Sequence, residues 1–327
     1  MFMLQYMSQS ADIPGVMVSV MIITYNHERY IQAALDSILG QQVSFPIEIV
    51  IGEDCSTDGT RAMLREYNTQ YPNLIRLLLR KHNLGVSHNW ESTMQECKGK
   101  YIALLEGDDY WTSPCKLQKQ VDFLEAHSDY SMCFHNARVV YENGQPPQAS
   151  HPMTMHTQSE FTLDDVTRDW SIATAAVMFR RELMREVPAW VHESVVVDLP
   201  VFAMLASSGR VGYLPDEMSV YRVNIGGVTN TSLQEAFLLS LVRMHGYLDR
   251  ELNFVYHHNL SVKIANNYAS LAGLMNNEGK YANARYYLVQ AWRIRAKVQA
   301  LPTKEELKNL VASLFPSLYR ATRSVIR

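Results

Sequence analysis

Residues 16–26 read VMVSVMIITYN, a nearly unbroken run of apolar and β-branched side chains that stops abruptly at Thr24, Tyr25 and Asn26. Side chains alternate between the two faces of a strand, so a run apolar at successive positions predicts a strand covered on both faces, as in a parallel sheet. The chain then changes period. Tyr30, Ile31, Ala34, Leu35 and Ile38 recur at helical spacing and end at Gly40, where a helix is readily closed. Strand, polar loop and helix thus follow one another within 25 residues.

The same unit recurs downstream. A strand over residues 47–51 leads into the acidic loop EDCSTD at 53–58, with Thr57 or Asp58 placed to cap the next helix. A strand at 74–79, the loop HNLGVSHN at 82–89, a helix to about Cys97 and a strand at 101–105 follow, and this last strand runs into EGDDYW at 106–111. Alternating β and α elements predict a doubly wound, mainly parallel α/β sheet, whose ligands bind beyond the carboxyl ends of the strands. The polar loops all fall on that edge.

Further along, a helix is expected from Pro114 to His127, then a strand at 131–141, a mobile Pro- and His-rich loop at 142–159, and a sheet-like segment at 174–179. A helix after Asp198 and short strands at 211–214 and 218–221 complete the reading, with residues 1–231 as one domain. From about Leu233 the pattern is helical, so residues 232–327 form a C-terminal helical appendage. Within it, YANARYYLVQAWRIR at 281–295 spaces small and aromatic residues like one helix of a hairpin.

Composition narrows the function classes. Hydrophobic residues make up 47% and charged residues 19% of the 327, as in folded globular chains. A net charge of -3 gives no basic excess for nucleic acid. The four cysteines form no CxxC pair, which argues against a zinc site or disulfide framework and fits a cytoplasmic location. No run of about 18 apolar residues appears, and the N-terminus lacks the features of a secretory leader, so a soluble or peripheral protein is expected.

The chemistry concentrates at Glu106, Asp108 and Asp109, three carboxylates crowded at the end of an apolar strand. Their mutual repulsion would be relieved by a hard divalent cation shared with phosphate oxygens. An acidic turn in which Asp108 or Asp109 caps the next helix is the other reading.

Taken in order, VSVMIITYNHERYIQAALDSIL, EDCSTDGT, EGDDYW and DLPVFAMLASSGRVGYLPDEMSVYR resemble the motifs of the family-two glycosyltransferases of the GT-A fold, over about residues 18–224. The resemblance implies a nucleotide-sugar donor, with UDP the family's common nucleotide, and Mn2+ or Mg2+ held at Asp108. It places Thr24, Tyr25 and Asn26 in the nucleotide pocket, with Tyr25 against the base, and Asp54 on the base edge. Asn83 and Gly85 would approach the nucleotide, Glu106 the ribose or a metal-bound water, Gly107 the donor and Trp111 the donor sugar, with Asp109 positioning the motif in the donor site. Asp198 stands where the family has its catalytic base, and Tyr221 and Arg222 lie near the diphosphate or acceptor. Three departures stand out: Glu106 opens a motif that reads Asp-x-Asp-Asp in the family, His88 and Asn89 stand where many relatives carry Arg, and Asn224 replaces a common His.

Transfer would then be inverting, to a saccharide or lipid-linked hydroxyl, in surface polysaccharide or lipopolysaccharide synthesis. A non-catalytic nucleotide- or carbohydrate-binding module and a nucleotidyltransferase are the competing classes; the first strand lacks a following GxGxxG, which weighs against a nicotinamide enzyme. At the C-terminus, eight Lys and Arg oppose two Glu over the last 35 residues, around an apolar stripe of Leu310, Val311, Leu314, Phe315, Leu318 and Tyr319 broken by Pro316. That pattern fits a basic segment lying on an anionic membrane, or a helix packed on its own domain or a dimer mate.

Overall fold

A computed structural model describes residues 15–142, 158–168, 172–223 and 234–317. Its first unit, residues 1–192 with 196–225, is built on one mixed sheet. The strands are β1 (Val18–Thr24), β2 (Ile47–Glu53), β3 (Ile75–Leu79), β4 (Tyr101–Glu106), β5 (Tyr110–Trp111), β6 (Tyr130–Tyr141), β7 (Glu160–Phe161), β8 (Met178–Arg180) and β9 (Arg210–Val223). They run in the order β3-β2-β1-β4-β8-β6-β9-β5, with β7 on β9. The half built from β1 to β4 is parallel, whereas β8 enters antiparallel between β4 and β6.

Both faces are covered, as the unbroken apolar runs require. Val18, Val20 and Ile22 of β1, with Ile49, Ile51, Ala103 and Leu105, pack against α1 (Ile31–Leu39) and α4 (Lys116–Ala126). Met21, Val50, Ile102 and Leu104 point the other way, into a cluster with α3 (Val86–Met94) and α6 (Asp198–Ser208). The period-2 alternation of each strand therefore feeds two separate cores. The remaining helices of this unit are α2 (Thr60–Gln70) and the short α5 (Leu163–Arg168).

Local differences from the sequence reading have physical causes. Helix α2 is capped at Gly59 because the Asp58 carboxylate accepts the Thr60 amide and hydroxyl and the Glu28 amide, an Asx-type turn one residue early. The segment at 174–179 begins as a 3-10 turn, Thr174–Ala176, since the Ala175 and Ala176 carbonyls accept from Trp111 Nε1 and Gln120 Nε2. The two short strands at 211–214 and 218–221 are one strand, β9. Its register against β6 jumps from His135↔Leu214 to Asn136↔Glu217, so Pro215 and Asp216 bulge out without ending the pairing. The loop read as mobile lies, over residues 143–157, outside the described residues, as does Asn224.

The second unit, residues 193–195 with 226–327, is helical: α7 (Gln234–Glu251), α8 (His257–Asn277), α9 (Tyr281–Lys297) and α10 (Lys304–Leu314). Ala272, Met275, Ala284 and Leu288 close the α8–α9 seam, where small residues let the two helices approach. Helix α10 starts in a full capping box, Thr303 with Glu306. Glu306 Oε1 also takes Arg295 Nε at 2.7 Å in a buried pair. Removing one partner of such a pair leaves the other charge buried and unmatched, so Glu306→Ala is expected to destabilise this unit by roughly 3 kcal/mol, to be measured by urea unfolding of the full chain.

Candidate active site

The turn after β4 is zipped onto the turn after β1. Glu106, the last residue of β4, pairs in register with Ile23, and the Gly107 amide donates to the Ile23 carbonyl at 3.1 Å. A Cβ at position 107 would lie 2.5 Å from Thr24 Oγ1 and 2.7 Å from His27 Nδ1, so this close approach requires glycine. Thr24 Oγ1 and His27 Nδ1 are 3.2 Å apart, and His27 Nε2 lies 3.8 Å from Asp108 Oδ2. His27 is thus a site residue that the motif reading passed over; its place one residue after Asn26, in the same turn, was the available signal.

Three carboxylates of the β4 turn, Glu106, Asp108 and Asp109, interact here with Asp198 from a distant part of the chain. Asp109 is 1% exposed; its Oδ1 accepts the Arg222 amide at 2.8 Å, while Oδ2 is buried with no hydrogen-bond partner. Burial pushes the Asp109 carboxyl well above the usual carboxylate range, and Asp108 and Glu106 push it further. Glu106 is raised to about 8, first by burial and then by Asp108 and Asp198. The phenol of Tyr221 is also raised, by burial and then by Glu106, Asp109, Asp198 and Asp108. Asp198, the first residue of α6, has therefore come within electrostatic reach of the β4 turn. Its own Oδ1 accepts the Leu199 amide at 2.8 Å, which orients the carboxylate at the helix start.

The residues expected at the nucleotide lie on the neighbouring loops. Tyr25 is 42% exposed, a ring open to stacking. Asn26 adopts φ 58° and bridges to the β2 loop: its amide donates to Ser56 Oγ and its Oδ1 accepts from Thr57. Asp54 is buried, and its two oxygens accept the amides of Leu84 at 2.7 Å and Gly85 at 3.0 Å. It thus shapes the 83–85 loop, and a further lone pair on each oxygen is left for a base N–H. Asn83 Oδ1 accepts the same Gly85 amide, and Gly85 takes φ +80°, the left-handed region open to glycine. Glu53 is structural, receiving Ser56 N and Arg61 Nε at 2.6 Å each.

Other expectations are corrected by the packing. Trp111 is buried: its indole N–H donates to the Ala175 carbonyl at 2.9 Å and Lys116 Nζ lies 3.9 Å over its ring, so it packs as a core group. Asn89 is likewise buried, donating to the Gly52 carbonyl and accepting from Arg80 Nε. His88 is exposed and stacks on His192 at 4.0 Å. The Arg222 guanidinium lies 5.2 Å from the Tyr30 ring and 4.7 Å from the Tyr110 ring, held between them.

Among the described residues no three His, Cys, Asp or Glu side chains form a cage for a metal ion. A crowd of carboxylates that raise one another, with Asp109 Oδ2 buried and unmatched, nevertheless fits a hard cation that completes its shell with phosphate oxygens and water. Without a cation the folded chain keeps a proton on Glu106 that the unfolded chain releases. Stability is therefore expected to fall as pH rises from about 4.5 through about 8, and Glu106→Gln to flatten that fall. Urea unfolding of both proteins across that window checks it.

Known proteins agree with this architecture. The solved structure of Staphylococcus aureus TarS 1-349 in complex with UDP-GlcNAc superposes with a TM-score of 0.56 at 19% identity, covering 91% of this chain and 80% of that one. The mannosyltransferase PcManGT of Pyrobaculum calidifontis, in complex with GDP-Man and Mn2+, superposes with a TM-score of 0.52 at 17% identity, covering 95% and 92%. These likenesses show the GT-A fold. In sequence, an uncharacterized protein of Mycobacterium tuberculosis is 35% identical over 245 residues, 74% of this chain and 69% of its own. A Bacillus subtilis protein named as a teichuronic acid biosynthesis glycosyltransferase, TuaG, is 31% identical over 222 residues, 67% of this chain and 84% of its own. The profile of glycosyl transferase family 2 matches residues 19–187, from β1 past β8, and with the sheet order and the β4 turn in place the chain belongs to that family.

Proposed function

We propose that this glycosyltransferase moves a sugar from a UDP-linked donor to a hydroxyl of a saccharide or lipid-linked acceptor, with inversion, in surface polysaccharide or lipopolysaccharide synthesis at the cytoplasmic face of the membrane. The observation that carries the reading is the gathering of Glu106, Asp108, Asp109 and Asp198 around Tyr221, beside the turn that bears Tyr25. The names of TuaG and TarS support the nucleotide-sugar and polysaccharide parts of it.

In this reading Tyr25 stacks on the base, and Asp54 with the Asn83–Gly85 backbone frames its edge. Thr24, Asn26 and Gly107 keep the two turns close enough for the nucleotide to lie across them, and Glu106 reaches the ribose. Asp108 would hold Mn2+ or Mg2+, with Glu106 reaching it through water; when bound, the cation offsets the charge of the diphosphate. Asp109, locked to the Arg222 backbone, positions the motif, and the Arg222 guanidinium adds positive charge on the diphosphate side.

Asp198 accepts the proton of the acceptor hydroxyl as that oxygen bonds to the anomeric carbon. The bond from that carbon to the diphosphate oxygen breaks, and the nucleoside diphosphate leaves. Its place at a helix start suits a carboxylate that must stay ionised until it receives that proton.

Asp108→Ala is expected to lower metal-dependent nucleoside diphosphate release at least about 100-fold. Full activity of this variant without metal would refute the assignment. Asp198→Asn should lower turnover about 100- to 10,000-fold while donor binding by calorimetry changes little; equal loss of both would argue against a base. Gly107→Ala, which pushes on Thr24 and His27, is expected to cost on the order of 100-fold in turnover with the fold intact by circular dichroism. A binding module would take up donor and release nothing, which the same assay reports.

A further inference from the structure

Helix α10 is amphipathic the wrong way round for a helix that lies on its own domain. The face it buries is mostly polar, with Ala312 the one apolar side chain fully buried on it among the described residues. Glu306 pairs with Arg295, Asn309 donates to the Ala269 carbonyl while its own carbonyl accepts from Asn276, and the Ser313 carbonyl accepts from Arg285. The face it turns outward is apolar. Leu307 is 51%, Val311 47%, Leu314 50% and Phe315 58% exposed, at helical spacings of four, three and one. Of the stripe expected from sequence, Leu310 alone among the described residues turns inward, against the α8–α9 seam, and Leu318 and Tyr319 lie outside the described residues. Scattered exposed apolar residues are ordinary, but three on one face of a helix whose other face is hydrogen-bonded, continued by Phe315 at its C-cap, mark a surface that meets something apolar.

Charge identifies what it meets. Lys304 and Lys308 are both exposed and each stands three residues before an apolar member of the face, Leu307 and Val311; Lys308 Nζ lies 3.3 Å from the exposed Glu305, a surface pair that lipid headgroups can compete for. The last 35 residues carry eight Lys and Arg against two Glu, in a chain whose net charge is -3; Glu306 is matched by Arg295 and Glu305 by Lys308, so the basic excess of this stretch remains after both pairs. An apolar stripe edged by long cationic side chains is the pattern of a helix lying in a lipid interface, with the apolar groups among the acyl chains and the lysines among anionic headgroups. Among the described residues no helix is long and apolar enough to cross a membrane, so the contact is one of lying on the surface.

We infer that α10 is a membrane-docking helix that binds an anionic lipid surface through Leu307, Val311, Leu314 and Phe315, with Lys304 and Lys308 at its rim. This deepens the reading of a lipid-linked or surface-polysaccharide acceptor by assigning a lipid contact to particular side chains, yet the contact can hold whether or not that acceptor is right. The helix needs no rearrangement to bind, because its inner hydrogen bonds already hold the apolar face outward.

The full chain is sedimented with vesicles of phosphatidylcholine alone and of equal parts phosphatidylcholine and phosphatidylglycerol. Binding is expected to the anionic vesicles only and to weaken in high salt. Leu307→Ser with Phe315→Ser should lower the bound fraction about tenfold or more, and Lys304→Gln with Lys308→Gln should remove the preference for anionic lipid. All four positions are exposed, so thermal unfolding and nucleoside diphosphate release in solution should be unchanged. Failure of the wild type to bind anionic vesicles, or full binding by the double Ser variant, would overturn the inference. So would concentration-dependent self-association in sedimentation velocity that the double Ser variant abolishes without any vesicle binding, since a second copy would then be the occupant. Vesicle binding without sugar transfer would sink the enzymatic reading and leave this one standing.

Discussion

The β4 rim holds more negative charge than a protein interior accepts unaided. Glu106 is driven toward the protonated form by burial, then by Asp108 and Asp198, and Asp109 by burial, then by Asp108 and Glu106; the Tyr221 phenol shares the same field. Such an arrangement costs stability in the isolated chain, and fields of this kind gather at functional sites more often than in structural cores. The neighbouring features follow from that constraint. Gly107 removes a side chain so that the β1 turn can close over the acids, His27 is brought near Asp108, and the Arg222 backbone ties down Asp109.

Around this charged centre the sheet acts as a rigid frame whose polar contacts are mostly about shape. Asp54 anchors the 83–85 loop, Glu53 joins the β2 loop to Arg61, and Arg80 reaches Asn89, Ser92 and Thr93 on α3. Each is a charge committed to a hydrogen-bonded partner, which fixes the loops beside the rim in place. Two mixed-fate aromatics show how local environment decides a role: Tyr25 stays open to solvent, whereas Trp111 spends its only donor on the Ala175 carbonyl and serves the core.

The helical unit is organised by the opposite rule. Its α8–α9 seam is apolar and closely packed, but α10 attaches through a buried Arg–Glu pair and amide bonds, which specify its rotation about its own axis more sharply than apolar packing would. That rotational setting is what leaves the apolar stripe outward. In sequence the stripe is visible, yet its direction is not, since periodicity reports which residues share a face and says nothing about which face is buried.

From sequence alone came the doubly wound sheet, because apolar runs of strand length alternating with amphipathic helices admit few other folds, and the family, because its motifs occur in order. Also legible were the three acids of the β4 turn, whose crowding in an apolar context is itself a chemical signal. Only the tertiary structure could bring Asp198 and Tyr221 to those acids, join His27 to Asp108, bury Trp111 and Asn89, and merge two short strands into β9 across Pro215. The reason is that periodicity and motif order encode local geometry, whereas electrostatic fields and burial are set by residues far apart in the chain that meet only when the sheet is assembled.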